Sequence, residues 1–215
     1  MESNDTKENE NVINEEKPKE NWYKKREDHW ASQEPTIKSV LGGFENSHLP
    51  DVKCSCELLN GLILSKQLTP GNALDCGAGI GRVTEYVLSN FFKEIDLVEK
   101  DKKFIEKCKV KFSGNNKIKN IYSSPLESFK FEKKYDLIWI QWCLENLEEK
   151  ENDKGEKEEE VNEFTYSDLD FSKQRPDAFY INFFLKNKFK IKLHFLNPNW
   201  PEDMMPLCIY VLSKE

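Results

Sequence analysis

The chain has 215 residues, enough for one α/β domain with a buried core and too few for two large domains. Charged residues make up 33% of it and the formal net charge is −7, which argues against a protein that tracks nucleic-acid phosphates and suits a basic partner. No apolar run approaches the ~20 residues of a membrane span, and the six cysteines and three histidines follow no zinc-ligand spacing, so we expect neither a membrane span nor a metal site.

The N-terminal third is predicted to contain a tail followed by helices. Residues 1–20 are almost entirely Glu, Lys, Asn and Asp, which predicts a disordered tail ahead of one domain at 21–215. A helix is expected at 21–31, and residues 36–44 run into Leu41-Gly42-Gly43, where the glycine pair permits a sharp turn. Apolar residues at helical spacing predict the next helix at 58–68.

Strands and helices alternate through the middle of the chain. Strands are expected at 72–76, 94–99, 119–122 and 135–142, with helices at 82–92 and 102–112. This order predicts a doubly wound, mostly parallel sheet covered on both faces.

The remainder falls into a charged segment and an ordered end. A solvated charged loop is predicted at 146–165, because residues 146–163 contain nine acidic side chains and no apolar face. A helix at 177–185 and strands at 189–196 and 207–212 follow, and we expect these strands to form an antiparallel pair that closes the edge of the sheet.

A glycine loop follows the first strand. Gly77, Gly79 and Gly81 allow the strand-to-helix turn to lie close to a ligand, at a helix start that offers free N–H groups. Dinucleotide folds carry a further glycine in G-x-G-x-x-G, where this chain has Arg82, so NAD is disfavoured.

The second strand ends at Glu99, whose carboxylate could accept both ribose hydroxyls of a nucleoside. Asp75, before the loop, could hold the loop or a positive ligand head. A glycine-rich turn can also merely join a strand to a helix. Its pairing with an acidic strand end favours a site for S-adenosylmethionine.

Three motifs give the chain a family resemblance. Leu74-Asp-Cys-Gly-Ala-Gly-Ile-Gly-Arg82 and Asp136-Leu-Ile-Trp-Ile-Gln-Trp142, with Trp200-Pro-Glu-Asp-Met-Met-Pro206 near the end, resemble the protein α-N-terminal methyltransferases. That family methylates the terminal amine of proteins that start X-Pro-Lys. The resemblance implies a Rossmann-like class I methyltransferase fold and the cofactor S-adenosyl-L-methionine.

The resemblance also implies which residues form the cofactor site. The glycine loop and Arg82 would contact the cofactor, and Glu99 would bind its ribose. Leu126 and Glu127 stand where a Leu-Gln pair frames the adenine, and Gln141 matches a glutamine that contacts the donor. Leu41 and Gly42 resemble the lid over its methionine end.

Substrate and catalytic residues follow from the same resemblance. Trp30 and Trp142 resemble the aromatic residues of the peptide groove, although core packing would also explain them. Asp170 matches the catalytic aspartate, and Asp168 could pair with the substrate lysine. Asn146 stands where the family has a histidine and can orient an amine without accepting its proton.

One departure from the family is large. After Leu147 the family has a further helix and central strand, about 25 residues absent here, and Asn152 matches a substrate-orienting asparagine just beyond that block. The loss would leave the strand at 138–142 with one bare edge and an uncovered face. Either a block has been removed, as in an internally deleted isoform or gene model, or the C-terminal pair docks directly in compensation. The first is favoured, because Lys150-Glu-Asn152 continues the family pattern.

The expected protein is therefore an S-adenosylmethionine-dependent transferase acting on protein N-terminal peptides. Two alternatives stay open: a small-molecule methyltransferase on the same fold, and a cofactor-binding but inactive variant. The free thiols and missing secretory signal predict a cytoplasmic protein, with the nucleus as a second compartment. We also expect a monomer.

Overall fold

The computed structural model describes residues 19–146, 165–168 and 170–214. Its helices are α1 (Lys19–Ser32), α2 (Ile37–Val40), α3 (His48–Leu64), α4 (Ser89–Phe91), α5 (Lys102–Lys111) and α6 (Asp177–Lys186). Its strands are β1 (Asn72–Cys76), β2 (Glu94–Glu99), β3 (Ile118–Ser123), β4 (Leu137–Ile140), β5 (Thr165–Tyr166), β6 (Lys173–Gln174), β7 (Phe189–Leu196) and β8 (Cys208–Lys214). Asn152 and the charged stretch 147–164 lie outside the described residues, as does the predicted tail up to residue 18.

Four parallel strands form the main sheet in the order β3-β2-β1-β4. The chain runs outward from β1 to β3 and then crosses back to place β4 on the other side of β1. This reversal puts a switch point beside the carboxyl end of β1, where open α/β sheets bind ligands. The predicted parallel α/β fold is confirmed.

The core lies on both faces of the two central strands. Ala73, Ile95 and Leu97 are fully buried on one side with Val87 and Phe92. On the other side the buried cluster is smaller and contains Leu74, Cys76 and Val98. Burial on both faces explains why these strands carry continuous apolar runs.

The outer strand β4 has one bare edge. Among the described residues it pairs only with β1, and Ile138 and Ile140 are 45% and 44% exposed. The sequence predicts this exposure from the missing block, because the absent strand would lie beside β4.

The C-terminal strands differ in part from the prediction. β7 and β8 form the expected antiparallel pair, from Phe189↔Lys214 to Leu196↔Cys208. The pair makes a two-stranded sheet of its own, packed against α6, so the expectation that it closes the edge of the main sheet is wrong. No described strand bridges β4 and the pair.

The segment predicted as a single α-helix at 82–92 also differs from the prediction. A π-helical turn at Thr84–Leu88 precedes α4. The N–H and hydroxyl of Thr84 both donate to the buried carboxylate of Asp75, at 3.1 and 2.7 Å, which fixes the start of this segment. Wide turns of this type are frequent at functional sites.

Candidate functional site

A cleft opens at the carboxyl ends of β1, β2 and β4. The glycine loop forms its floor, and α1 and α5 contribute to its walls. Of the residues singled out from the sequence, the cleft is lined by Trp30, Gly77, Gly79, Arg82, Glu99, Leu126, Glu127, Gln141 and Trp142. The fold thus brings together residues from five separate segments.

The glycine loop adopts a backbone that favours glycine at three positions. Gly77, Gly79 and Gly81 have φ of 66°, 56° and 74°, in the left-handed region. A Cβ at Gly77 would lie 3.0 Å from that of Cys143, and a Cβ at Gly81 would lie 2.4 Å from the ring of Phe112. The loop therefore needs glycine for its conformation and for close packing.

Glu99 is tied into this loop by backbone donors. Its Oε2 accepts the N–H of Gly79 at 2.8 Å, and its Oε1 accepts those of Lys100 and Asp101 at 2.7 and 2.8 Å. Burial raises the pKa of Glu99, and these hydrogen bonds oppose the rise. A carboxylate has roughly four acceptor positions. Three of these positions are occupied by backbone N–H groups, so one ribose hydroxyl can bind without displacing a backbone hydrogen bond. The sequence alone predicts two bound ribose hydroxyls.

Asp75 is buried at the foot of the cleft and binds Thr84. Burial raises the pKa of Asp75 to about 6, against the hydrogen bonds from Thr84. Asp75 could hold the loop or bind a positive ligand head. Its direct contact with Thr84 supports the first of these roles.

Arg82 and Gln141 share one partner, Asp51, which the sequence reasoning missed. Arg82 Nη1 lies 2.7 Å from Asp51 Oδ2, and Gln141 Nε2 donates to Asp51 Oδ1. Asp51 sits in the first turn of α3. The sequence predicts this helix only from residue 58, which leaves Asp51 outside it, so nothing marked this acid as part of a site.

The two residues expected to form a lid lie apart from the cleft lining. Leu41 is 1% exposed and packs as a core residue, and Gly42 is exposed at φ 58°. The preceding residue, Val40, lines the cleft instead and contacts Gly79, where a Cβ would lie 3.3 Å from Val40 Cγ1. The segment around the glycine pair thus reaches the cleft through Val40.

Two indole side chains, those of Trp30 and Trp142, line the cleft. Trp142 follows β4 with a left-handed φ of 57°, uncommon for a residue other than glycine. Its ring centroid lies 5.5 Å from that of Trp200. Trp30 comes from α1, so the cleft has indole rings on two of its sides.

The acidic pair Asp168 and Asp170 lies in the turn between β5 and β6. Asp170 is half-buried, and its Oδ1 accepts the N–H and hydroxyl of Ser172 at 3.1 and 2.9 Å, whereas Asp168 is exposed. Phe171 has a left-handed φ of 57° and packs edge-on against Trp22 of α1, with centroids 5.4 Å apart. The acidic turn therefore packs against α1, the helix that also carries Trp30.

The 3₁₀ turn Leu144–Asn146 completes this region. It packs against β6, and the expected substrate-orienting residue Asn146 ends it. Burial raises the pKa of Glu145 in the same turn, the charge of Asp170 raises it further, and Arg175 lowers it. Glu145 is thus a second carboxyl near Asp170 that the sequence reasoning did not single out.

One group outside the cleft has potential metal ligands. Asp177, His194 and Cys208 bring their ligand atoms within 4.8 Å of one another. Asp177 Oδ1 lies 3.0 Å from His194 Nε2 and also accepts the hydroxyl of Tyr210, so it has partners without an ion. The absence of a metal site stays a prediction. Among the described helices, none has the length and apolar content to cross a bilayer.

Comparisons with known proteins identify relatives across most of the chain. A family described as AdoMet dependent proline di-methyltransferase matches residues 18–154. An alpha N-terminal protein methyltransferase 1 of Dictyostelium discoideum is 41% identical over 137 residues, which cover 61% of this chain and 51% of that protein. One of Schizosaccharomyces pombe is 32% identical over 213 residues, covering 90% and 96%.

A Danio rerio relative named N-terminal Xaa-Pro-Lys N-methyltransferase 1 is 33% identical over 130 residues, covering 59% of this chain and 58% of that protein. The chain spans about half the length of the first curated relatives it matches, at 51%, 56% and 46%. A solved SAM-dependent methyltransferase of Leishmania major superposes with a TM-score of 0.77 at 26% identity, covering 89% of this chain and 83% of that one. The class I methyltransferase fold expected from the sequence is confirmed.

Proposed function

The chain belongs to the AdoMet-dependent proline di-methyltransferase family, and on that premise we propose that it transfers methyl groups from S-adenosylmethionine to the α-amino group of proteins beginning X-Pro-Lys. The observation that carries the proposal is one cleft lined by both the glycine loop with Glu99 and the indoles of Trp30 and Trp142. Donor and acceptor sites would then adjoin, as an in-line displacement requires.

The residues of the cleft suit the cofactor in shape and charge. The glycine loop leaves no room for side chains at Gly77 and Gly81, and Glu99 has an acceptor position left for a hydroxyl. We propose that these residues hold the nucleoside with Leu126 and Glu127, and that Arg82 and Gln141 hold the amino-acid end. When bound, S-adenosylmethionine supplies an electrophilic methyl group on a sulfonium.

The acceptor side has to hold a peptide and a neutral amine. Trp142 and Trp30 offer flat apolar faces suited to a proline ring. Asp168 is exposed and can pair with a lysine at the third position. The net charge of −7 favours such a basic peptide.

Asp170 is the proposed base. Within the described part of the chain, both of its hydrogen bonds end on Oδ1, which leaves Oδ2 for the amine. An α-amine has a pKa of about 7.7–8.0, so a carboxylate has to take up a proton only from the charged fraction. Asn146 and Asn152 are proposed to orient the amine by hydrogen bonding. Asp170 acts without the histidine of the family.

The assay tests whether the free α-amine of the peptide is the methyl acceptor. Purified chain is incubated with methyl-labelled S-adenosylmethionine and a Ser-Pro-Lys peptide, alongside the same peptide acetylated at its N-terminus. We expect label in the free peptide only. Equal labelling of both peptides, or labelling of neither, would contradict the proposal.

The bare edge of β4 is the observation that favours a second candidate, a variant that binds the cofactor without turnover. The two candidates share a donor site and differ in methyl transfer. Binding of S-adenosylhomocysteine without label in either peptide would favour the second candidate.

A further inference from the structure

Asp51 occupies an unusual place for a carboxylate. It lies in the first turn of α3 and is 2% exposed, and nothing in the proposed mechanism so far uses it. A buried carboxylate is costly unless charges and hydrogen bonds compensate it. Its partners therefore indicate what it does.

Both carboxylate oxygens of Asp51 are used, and by different strand ends. Oδ2 pairs with Arg82, which follows β1 through the glycine loop, and Oδ1 accepts Nε2 of Gln141, which follows β4. Arg82 and Gln141 both line the cleft, on either side of the switch point. One side chain thus joins the two strands between which ligands bind in such sheets.

The amide of Gln141 is held at both ends. Its Nε2 donates to Asp51, and its Oε1 accepts Nε1 of Trp139 at 2.7 Å. This pair of contacts defines which end of the amide faces which neighbour. Without Asp51, the amide would lose the partner of its donor end.

The ion pair between Asp51 and Arg82 is almost completely shielded from solvent. The side chains of Arg82 and Asp51 are 6% and 3% exposed. Burial raises the pKa of Asp51, and the charge of Arg82 opposes this. In such surroundings a charge pair is strongly orienting, because neither partner has water as an alternative.

We propose that Asp51 is a positioning residue of the donor site, which holds Arg82 through one oxygen and Gln141 through the other and so fixes both side chains against the cofactor. The inference rests on the proposed function, in which Arg82 and Gln141 contact the donor. Asp51 lies behind them and acts through them.

The test measures binding of S-adenosylhomocysteine by calorimetry to the full chain. Asp51→Asn keeps an acceptor for Gln141 and removes the charge that pairs with Arg82. We expect its Kd to rise about tenfold, or about 1.4 kcal/mol. In turnover, the KM for the donor should rise more than kcat falls, whereas a purely structural role would lower thermal stability without this split.

A matched control lies on the same helix. Glu57 is exposed and only loosely paired with Lys53 at 4.0 Å, so Glu57→Gln should keep the wild-type Kd. Asp51→Glu keeps the charge and moves the carboxylate outward by one methylene. It should also weaken binding, and it provides the readout if Asp51→Asn does not fold.

A double-mutant cycle separates positioning from a general effect. Adding Asp51→Asn to Arg82→Gln should weaken binding much less than in the wild-type background, because the two changes remove one interaction. Wild-type affinity in a folded Asp51 variant, or an equal loss in both backgrounds, would overturn the inference. If the wild-type chain itself did not bind S-adenosylhomocysteine, the proposed donor site would be refuted, and the inference about Asp51 with it.

Discussion

The backbone N–H of Gly79 donates to Oε2 of Glu99 at 2.8 Å, so the glycine loop and the end of the second strand form one bonded unit. Val98 strengthens the unit, because its carbonyl accepts the N–H groups of Gly77 and Ala78 at 2.9 and 3.0 Å. The loop is therefore shaped before a ligand arrives. Preorganisation of this kind lowers the free-energy cost of binding.

The packing of the loop predicts a large effect at Gly81. In Gly81→Ala the new Cβ would lie 2.4 Å from the buried ring of Phe112, and φ is 74°. We expect a loss of about 2–5 kcal/mol in the free energy of unfolding, from overpacking and left-handed strain together. Gly114→Ala is the control, because its φ is 80° with nothing within 4 Å, so only about 1–2 kcal/mol should be lost. Equal losses in urea denaturation would show that packing against Phe112 contributes nothing.

Replacement of Glu99 tests the acidic end of the unit. Glu99→Gln turns an amide N–H₂ toward backbone donors that now bind a carboxylate, so we expect the Kd for S-adenosylhomocysteine to rise at least about tenfold. Glu94→Gln is the matched control at the exposed start of the same strand, 3.8 Å from Lys119. An unchanged Kd in Glu99→Gln would refute the ribose role of this residue.

The alternation of strands and helices along the chain and the position of the glycine loop follow from the sequence, because β1 and β2 are buried on both faces and carry apolar runs. The start of α3 does not follow from the sequence. The helix begins at His48, ten residues before the predicted start, and its first buried positions carry Asp51, Cys54 and Ser55. Periodicity of apolar residues cannot detect a helix face that is buried but polar.

The same limit explains why Asp51 and Glu145 were missed. Each is an isolated acid in sequence, and only the fold brings Asp51 to Arg82 and Glu145 near Asp170. The resemblance to the family assigns roles only to residues that are proposed to contact ligands. It was silent about the residues that hold them.

Asp75 predicts a pH dependence of stability. Its pKa is raised from 3.8 to about 6, so the folded state keeps the proton to higher pH than the unfolded state. The stabilising contribution is complete below about pH 4 and is lost as the pH rises through about 6, a change of about 3 kcal/mol. Urea denaturation between pH 4 and 7 should show a shallower decline for Asp75→Asn than for the wild type. Parallel curves for the two proteins would contradict a buried, proton-holding Asp75.

The proposed base predicts a kinetic signature. Asp170→Asn should lower kcat by about 100-fold or more and leave the Kd for S-adenosylhomocysteine near that of the wild type. Asp168→Asn, in the same turn, should instead raise the KM for a Ser-Pro-Lys peptide. A change in donor affinity alone in Asp170→Asn would refute the assignment of the base.

Donor binding is the decisive question for this chain, since among the described residues β4 pairs only with β1 while the glycine loop is bonded to Glu99. The most direct measurement is the thermal unfolding of the full chain with increasing S-adenosylhomocysteine. A ligand at 100 times its Kd stabilises the folded state by about 2.7 kcal/mol, which corresponds to a rise in Tm of about 5–10 °C for a domain of this size. We predict such a rise, saturating with concentration and reduced in Glu99→Gln. No change in Tm at millimolar ligand would contradict the donor site and the methyltransferase function with it.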